Sequence, residues 1–278
     1  MPRHRNRDWP TGGWPPRHLD PKATRHAVLL LHGIPGSGAA WRPVAAHLSG
    51  DFNVVVPDLL GFGGSARPAA LRALHAAGQA AAIGQLLDEL GTGPVVVVGH
   101  DFGGPVALTL LSQRPDQVRG LGLLAANTFT DTPIPFPLSA VTWPVVGQIS
   151  AAVLFSRPAL AMMLSSGVGR PRCRLADADY VGDRRQQRAI RTIFRGSLTR
   201  LAELYRPIQD QLDRVDVPTF VGWGDRDPFF SVAHGERTAA AVGAPLRIYA
   251  DAGHFLPAER PVDVAADIAS LVVGQVRS

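Results

Sequence analysis

The chain has 278 residues, 46% of them hydrophobic and 18% charged, which suffices for one large core, or a core with a smaller insert. Its net charge of +5 is carried almost wholly by arginine, Lys22 being the single lysine, and outside the middle of the chain no element gathers basic residues with aromatics between them as a nucleic-acid binder would. The lone cysteine, Cys173, excludes an intrachain disulfide and a multi-cysteine metal site.

Residues 1–25 are rich in Pro, Arg and Trp without periodicity and read as an extended arm. The apolar run 27–31 then ends in His-Gly, and a second run, 53–56, ends in Pro57-Asp58. Helical spacing follows over 71–90, a third strand over 95–98, a helix over 105–112 and a fourth strand over 121–125. Strands that are apolar without alternation, each followed by a helix, predict a mostly parallel, doubly wound α/β sheet covered on both faces. After Asn127 the pattern breaks. Prolines stand at 133, 135, 137, 144 and 158, and helical spacing returns over 186–205. Strand signals resume at 219–221 and 246–249, and a helix closes the chain over 262–273. The reading is a core formed by 26–127 and 213–278, interrupted by a helical insertion at 128–212. The apolar runs are strand-sized, so the expectation is a cytoplasmic protein without a membrane partner.

Gly99-His100-Asp101-Phe102-Gly103-Gly104 lies between the third strand and a helix. A tight strand-to-helix turn lifts its central residue above the sheet, and flanking glycines tolerate the crowding. Where such elbows often carry serine, this one carries an aspartate, a competent covalent nucleophile. Read alone, Asp101 could equally be an ordinary helix N-cap. His32-Gly33-Ile34-Pro35 follows the first strand, where the backbone N–H of Ile34 can face that of Phe102. Such a pair forms an oxyanion hole, each donor being worth about 3 kcal/mol in a transition state; the plain alternative is a Pro/Gly turn. Asp58 to Ser65 reads as a structural turn. Near the C-terminus, Gly224-Asp225-Arg226-Asp227-Pro228 and Gly253-His254-Phe255 each follow a strand. A histidine there can activate water while a carboxylate fixes its tautomer.

These motifs together resemble the α/β-hydrolase superfamily, in the branch with an aspartate nucleophile that includes epoxide hydrolases and haloalkane dehalogenases. The resemblance covers about residues 26–275, and it makes 128–212 the family's cap. It implies Asp101 as nucleophile, His254 as general base, and the Ile34 and Phe102 amides as oxyanion hole. The acid matches Asp227, with Asp225 as the fallback. Asn127 stands where some dehalogenases carry the acid, but it is uncharged, and Asp251 reads as a solvated loop acid. The family's opening antiparallel hairpin has no clear counterpart in the proline-rich 1–25.

The resemblance implies a small-molecule substrate with an electrophilic carbon, and no cofactor or metal. A leaving halide calls for N–H donors, yet Phe102 and Ile34 supply none from their side chains; Trp143 in the insertion could supply one. An epoxide calls for an acid at its ring oxygen, and two of three tyrosines, Tyr180 and Tyr205, lie in the insertion. Epoxide hydrolysis to a vicinal diol is therefore the leading expectation. Dehalogenation, ester or C–C hydrolysis, a ligand receptor and a non-hydrolytic member of the fold stay open. Eleven arginines between Arg157 and Arg206 suggest either solvated helix faces or a basic cap that attracts an anionic substrate.

Overall fold

The computed structural model describes residues 26–274 apart from 66–67, 69, 135, 170–174 and 176–183. The N-terminal arm, Cys173 and Tyr180 therefore lie outside the described residues.

Six parallel strands run β1 (Ala27–Leu31), β2 (Asn53–Val55), β3 (Val95–His100), β4 (Val118–Leu124), β5 (Thr219–Gly224) and β6 (Leu246–Tyr249). Their spatial order is β2-β1-β3-β4-β5-β6. Every residue of β1 and β3 is buried, which explains their unbroken apolar sequence: successive side chains point to opposite faces and both faces are covered. Val28, Leu30, Val96 and Val98 pack with Val44 and Leu48 of α1 (Arg42–Leu48) and Ile268 of the closing helix, Pro261–Gly274. Leu29, Leu31, Val95 and Val97 pack on the other face against Ile83 and Leu87 of α2 (Ala76–Leu90) and Val106 and Leu110 of α3 (Gly103–Gln113).

The predicted elements hold in place and differ at their ends. The third strand continues through Gly99 to His100, where it pairs with Leu124. The predicted 71–90 helix divides into a 3-10 turn at Leu71–Leu74 and α2, because His75 is extended between them. The predicted 186–205 helix breaks at Arg200 (φ −128°, ψ 31°) into α6 (Arg184–Thr199) and α7 (Leu201–Gln209). Between β4 and α6 run a 3-10 turn (Leu138–Thr142), α4 (Gly147–Leu154) and α5 (Arg157–Ser166). Asp58 braces the loops after β1 and β2, accepting N–H bonds from Gly38 (2.7 Å) and Gly64 (2.9 Å).

The chain crosses from β2, on the sheet edge, to β3 on the far side of β1. Beside such a reversal the loops after neighbouring strands diverge and leave a crevice at the strands' carboxyl ends.

Candidate active site

Asp101 sits in that crevice, on the turn between β3 and α3, with φ +51°. A non-glycine residue in the left-handed region is strained and needs surroundings that hold it. Its own N–H donates to Leu124 O at 3.0 Å. The turn is too tight for side chains on either side: a Cβ on Gly99 would lie 2.2 Å from Gly103 O, and one on Gly103 would lie 2.3 Å from Leu31 O. Asp101 does not cap α3; the N-cap is Phe102, with no side-chain cap bond. Instead Asp101 Oδ2 accepts the Ile34 N–H at 2.7 Å, and Oδ1 lies 3.6 Å from His254 Nε2.

The other nitrogen of His254, Nδ1, is 2.8 Å from Asp227 Oδ2. Oδ1 of Asp227 accepts the N–H groups of Phe229 (2.8 Å) and Phe230 (3.1 Å), so the carboxylate is held at both oxygens. Its side chain is wholly buried. This arrangement makes Nδ1–H the donor to Asp227 and turns Nε2 toward Asp101. Asp225 does not reach the ring; it is exposed and accepts the Ala252 N–H. Asp251 is also exposed and pairs with Arg226.

Burial works against charge on His254, but the Asp227 and Asp101 carboxylates outweigh it and raise the imidazole to about 10. Burial likewise opposes ionisation of Asp101, yet His254 and the Ile34 N–H hold its carboxyl below the usual range. The resting pair is thus carboxylate and imidazolium. His100 behaves oppositely: burial and the neighbouring His254 charge push it down to about 4. It is neutral, and its Nε2–H donates to His254 O at 2.8 Å. His32 is also lowered by burial. Its Nε2 accepts the Leu59 N–H, so Nδ1–H donates to Gly33 O and steadies the loop that carries Ile34.

Two supports escaped the sequence reading. Buried Glu259 accepts the N–H groups of Gly253 (3.0 Å) and Phe255 (3.1 Å), the residues either side of His254, and that of Gly169 (2.8 Å) beyond α5. The His254 N–H donates to Gly167 O at 2.8 Å, so the stretch after α5 grips the histidine loop twice. Asn127 lines the site with Oδ1 occupied by the Phe129 N–H and the Thr132 hydroxyl, which leaves its NH₂ as the group free for a ligand.

A cavity of about 160 Å³ opens over Asp101 and His254, walled largely by apolar side chains such as Phe194, Leu198, Phe229 and Phe230. Tyr205 reaches it from α7, and burial together with the Asp101 charge pushes its phenol above its ordinary range. Trp143 does not reach it: the residue follows the 3-10 turn on the surface, half exposed, and is absent from the wall. No arginine lines the cavity among the described residues; Arg170, Arg172 and Arg174, on which the basic-cap reading also rests, lie outside them. Among the described residues no three His, Cys, Asp or Glu side chains are grouped to hold a metal ion.

Residues 26–261 match the family described as alpha/beta hydrolase fold. Lipase LipV of Mycobacterium tuberculosis is 46% identical over 99 residues, which cover 35% of this chain and 36% of that protein. Epoxide hydrolase A of the same organism is 26% identical over 291 residues, 89% of this chain and 90% of the relative. The solved structure of the epoxide hydrolase CorEH superposes with a TM-score of 0.73 over 90% of this chain and 92% of that one, at 23% identity, a likeness of fold. With most of its length matched, the chain belongs to the α/β-hydrolase family.

Proposed function

We propose that the protein hydrolyses compact, uncharged, apolar epoxides to vicinal diols through an ester at Asp101. The observation that carries this reading is the Asp101 carboxylate, fixed by the Ile34 N–H and paired with His254, under a cavity that also holds a phenol. In the first step an Asp101 oxygen attacks a ring carbon, the C–O bond of the ring breaks, and the alkoxide takes the Tyr205 proton. The ester removes the Asp101 charge, so one of the two carboxylates that hold His254 protonated is lost and its affinity for the proton falls. The imidazolium returns a proton to the tyrosinate and becomes a base.

Water, losing a proton to Nε2, then attacks the ester carbonyl. The Ile34 and Phe102 N–H groups hold the oxyanion, and collapse releases the diol with the carboxylate–imidazolium pair restored. Asp227 keeps the ring in the correct tautomer and stabilises its cation throughout.

The cavity matches in scale an engineered apolar cavity of about 150 Å³ that admits benzene, so one ring or its equivalent sets the substrate size. The described residues around it are largely apolar, which favours a neutral molecule. Dehalogenation keeps one supporting observation, the Asn127 NH₂ at the wall, but neither Ile34 nor Phe102 adds a side-chain donor for a halide. Parallel assays on styrene oxide and bromoalkanes of similar size separate the two: diol without bromide supports the proposal, and bromide without diol overturns it.

A further inference from the structure

Segment 136–162 presents large apolar side chains to solvent. Val145 is 94% exposed, Met162 71% and Ile149 68%, and Phe136, Trp143 and Val153 are more than half open. Val146, Ile149 and Val153 follow i, i+3, i+7 spacing along α4 and its N-cap, so they share one helix face. Scattered apolar residues are normal on a monomer, but three on one helix face, with further exposed ones in the same stretch of chain, mark an interaction surface.

A second, independent observation is the backbone of Val145, whose φ is +67°. A β-branched residue is a genuine outlier there; a turn that merely connects two elements would use glycine or asparagine. The strained residue is also the most exposed member of the group.

Charge points to the partner. Residues 132–176 contain four arginines and no aspartate or glutamate. Arg157, exposed at the start of α5, is one; the other three lie outside the described residues. α4 and α5 have 8 and 10 residues and meet at 69°, whereas a membrane span needs about 20 in line. Among the described residues no single helix is long and apolar enough to cross a membrane. The expectation of no membrane partner rested on spanning length alone; lying in an interface requires none.

We propose that segment 136–162 docks the protein on the surface of a membrane containing anionic phospholipid. The apolar side chains enter the headgroup layer while Arg157 meets lipid phosphate. Leu138 of this segment and Met163, the next residue of α5, line the cavity, so the docking surface and the cavity share their elements. An apolar substrate dissolved in lipid would then have a short route inward. The docking does not depend on which bond the site breaks.

Flotation of the full chain with vesicles of phosphatidylcholine, alone or mixed with phosphatidylglycerol, tests this. The protein should float with the mixed vesicles about tenfold or more better than with phosphatidylcholine, and added salt should weaken the association. The I149E/V153E variant should lose about tenfold or more of that binding while its turnover of a soluble epoxide is unchanged. Val145→Gly supplies a variant that cannot fail by misfolding through strain: it should raise the melting temperature and still weaken flotation. Absence of flotation, or flotation indifferent to lipid charge, overturns the proposal. So does a concentration-dependent dimer in the ultracentrifuge that the same double substitution dissolves.

Discussion

Nε2 of His254 stands 3.6 Å from Oδ1 of Asp101, while Nδ1 of the same ring is 2.8 Å from Asp227. The first contact is too long for a hydrogen bond and the second is a good one. The ring is therefore anchored to Asp227 and coupled to Asp101 by charge. That asymmetry suits a base whose protonation must follow the charge of the nucleophile.

His254→Gln should stop the cycle after its first half. The ester still forms where pH is high enough to ionise Asp101, which keeps the Ile34 N–H but loses the His254 charge, while water is no longer activated. Turnover should fall by about 10²–10⁴-fold. Intact-mass measurement should show the protein heavier by one substrate. An unmodified protein that has consumed no epoxide would contradict this order of events.

Tyr205→Phe should separate chemistry from folding. Its hydroxyl makes no hydrogen bond among the described residues and faces the cavity, so its loss should change stability by less than about 0.5 kcal/mol. Epoxide opening should slow by about 10²-fold or more. A rate within twofold of wild type would remove Tyr205 from the mechanism.

Glu259→Gln should injure both stability and catalysis without touching substrate. The amide replaces one of two acceptor oxygens by a donor facing backbone N–H groups, costing about 1–3 kcal/mol in urea unfolding. Because those amides flank His254, kcat should fall while KM changes little. A variant with lowered stability and unaltered kcat would assign Glu259 a purely structural part.

Stability should depend on the Asp101–His254 pair at both ends of the pH scale. His254 is raised from 6.5 to about 10, so its contribution is complete below 6.5 and disappears as pH climbs through about 10. Asp101 is lowered from 3.8, so its contribution is complete above that value and is lost as pH falls through its depressed one. The difference in unfolding free energy between wild type and His254→Gln should therefore shrink as pH rises from 6.5 to about 10 and level off above that. A difference that stays flat from 6.5 to about 10 would mean the ring is neutral at rest.

Much of this was legible in the residues, for identifiable reasons. Val95 to Val98 can only be a strand buried on both faces, and the glycines around Asp101 mark a turn without room for side chains. The choice of Asp227 over Asp225 agrees with the placement of one against the imidazole and the other in solvent. What was not legible lay in irregular or tertiary features. The break at Arg200 carries no glycine or proline to announce it. Trp143 reads as a cavity residue only until its turn is seen to face solvent. Glu259 lies in Pro257-Ala258-Glu259-Arg260, which resembles a surface helix start, and its three backbone donors come from residues brought together by the fold. Nothing in the elbow's sequence gives His100 a role, yet it holds the carbonyl of His254.

The most direct test of the covalent route weighs the peptide bearing residue 101 after many turnovers of an epoxide in heavy-oxygen water. Hydrolysis of an ester at its carbonyl carbon leaves the solvent oxygen in the Asp101 carboxylate, so that peptide should gain mass while a single turnover delivers unlabelled oxygen to the diol. Label appearing in the diol from the first turnover, with none in Asp101, would show that water attacks the substrate directly and that no ester forms.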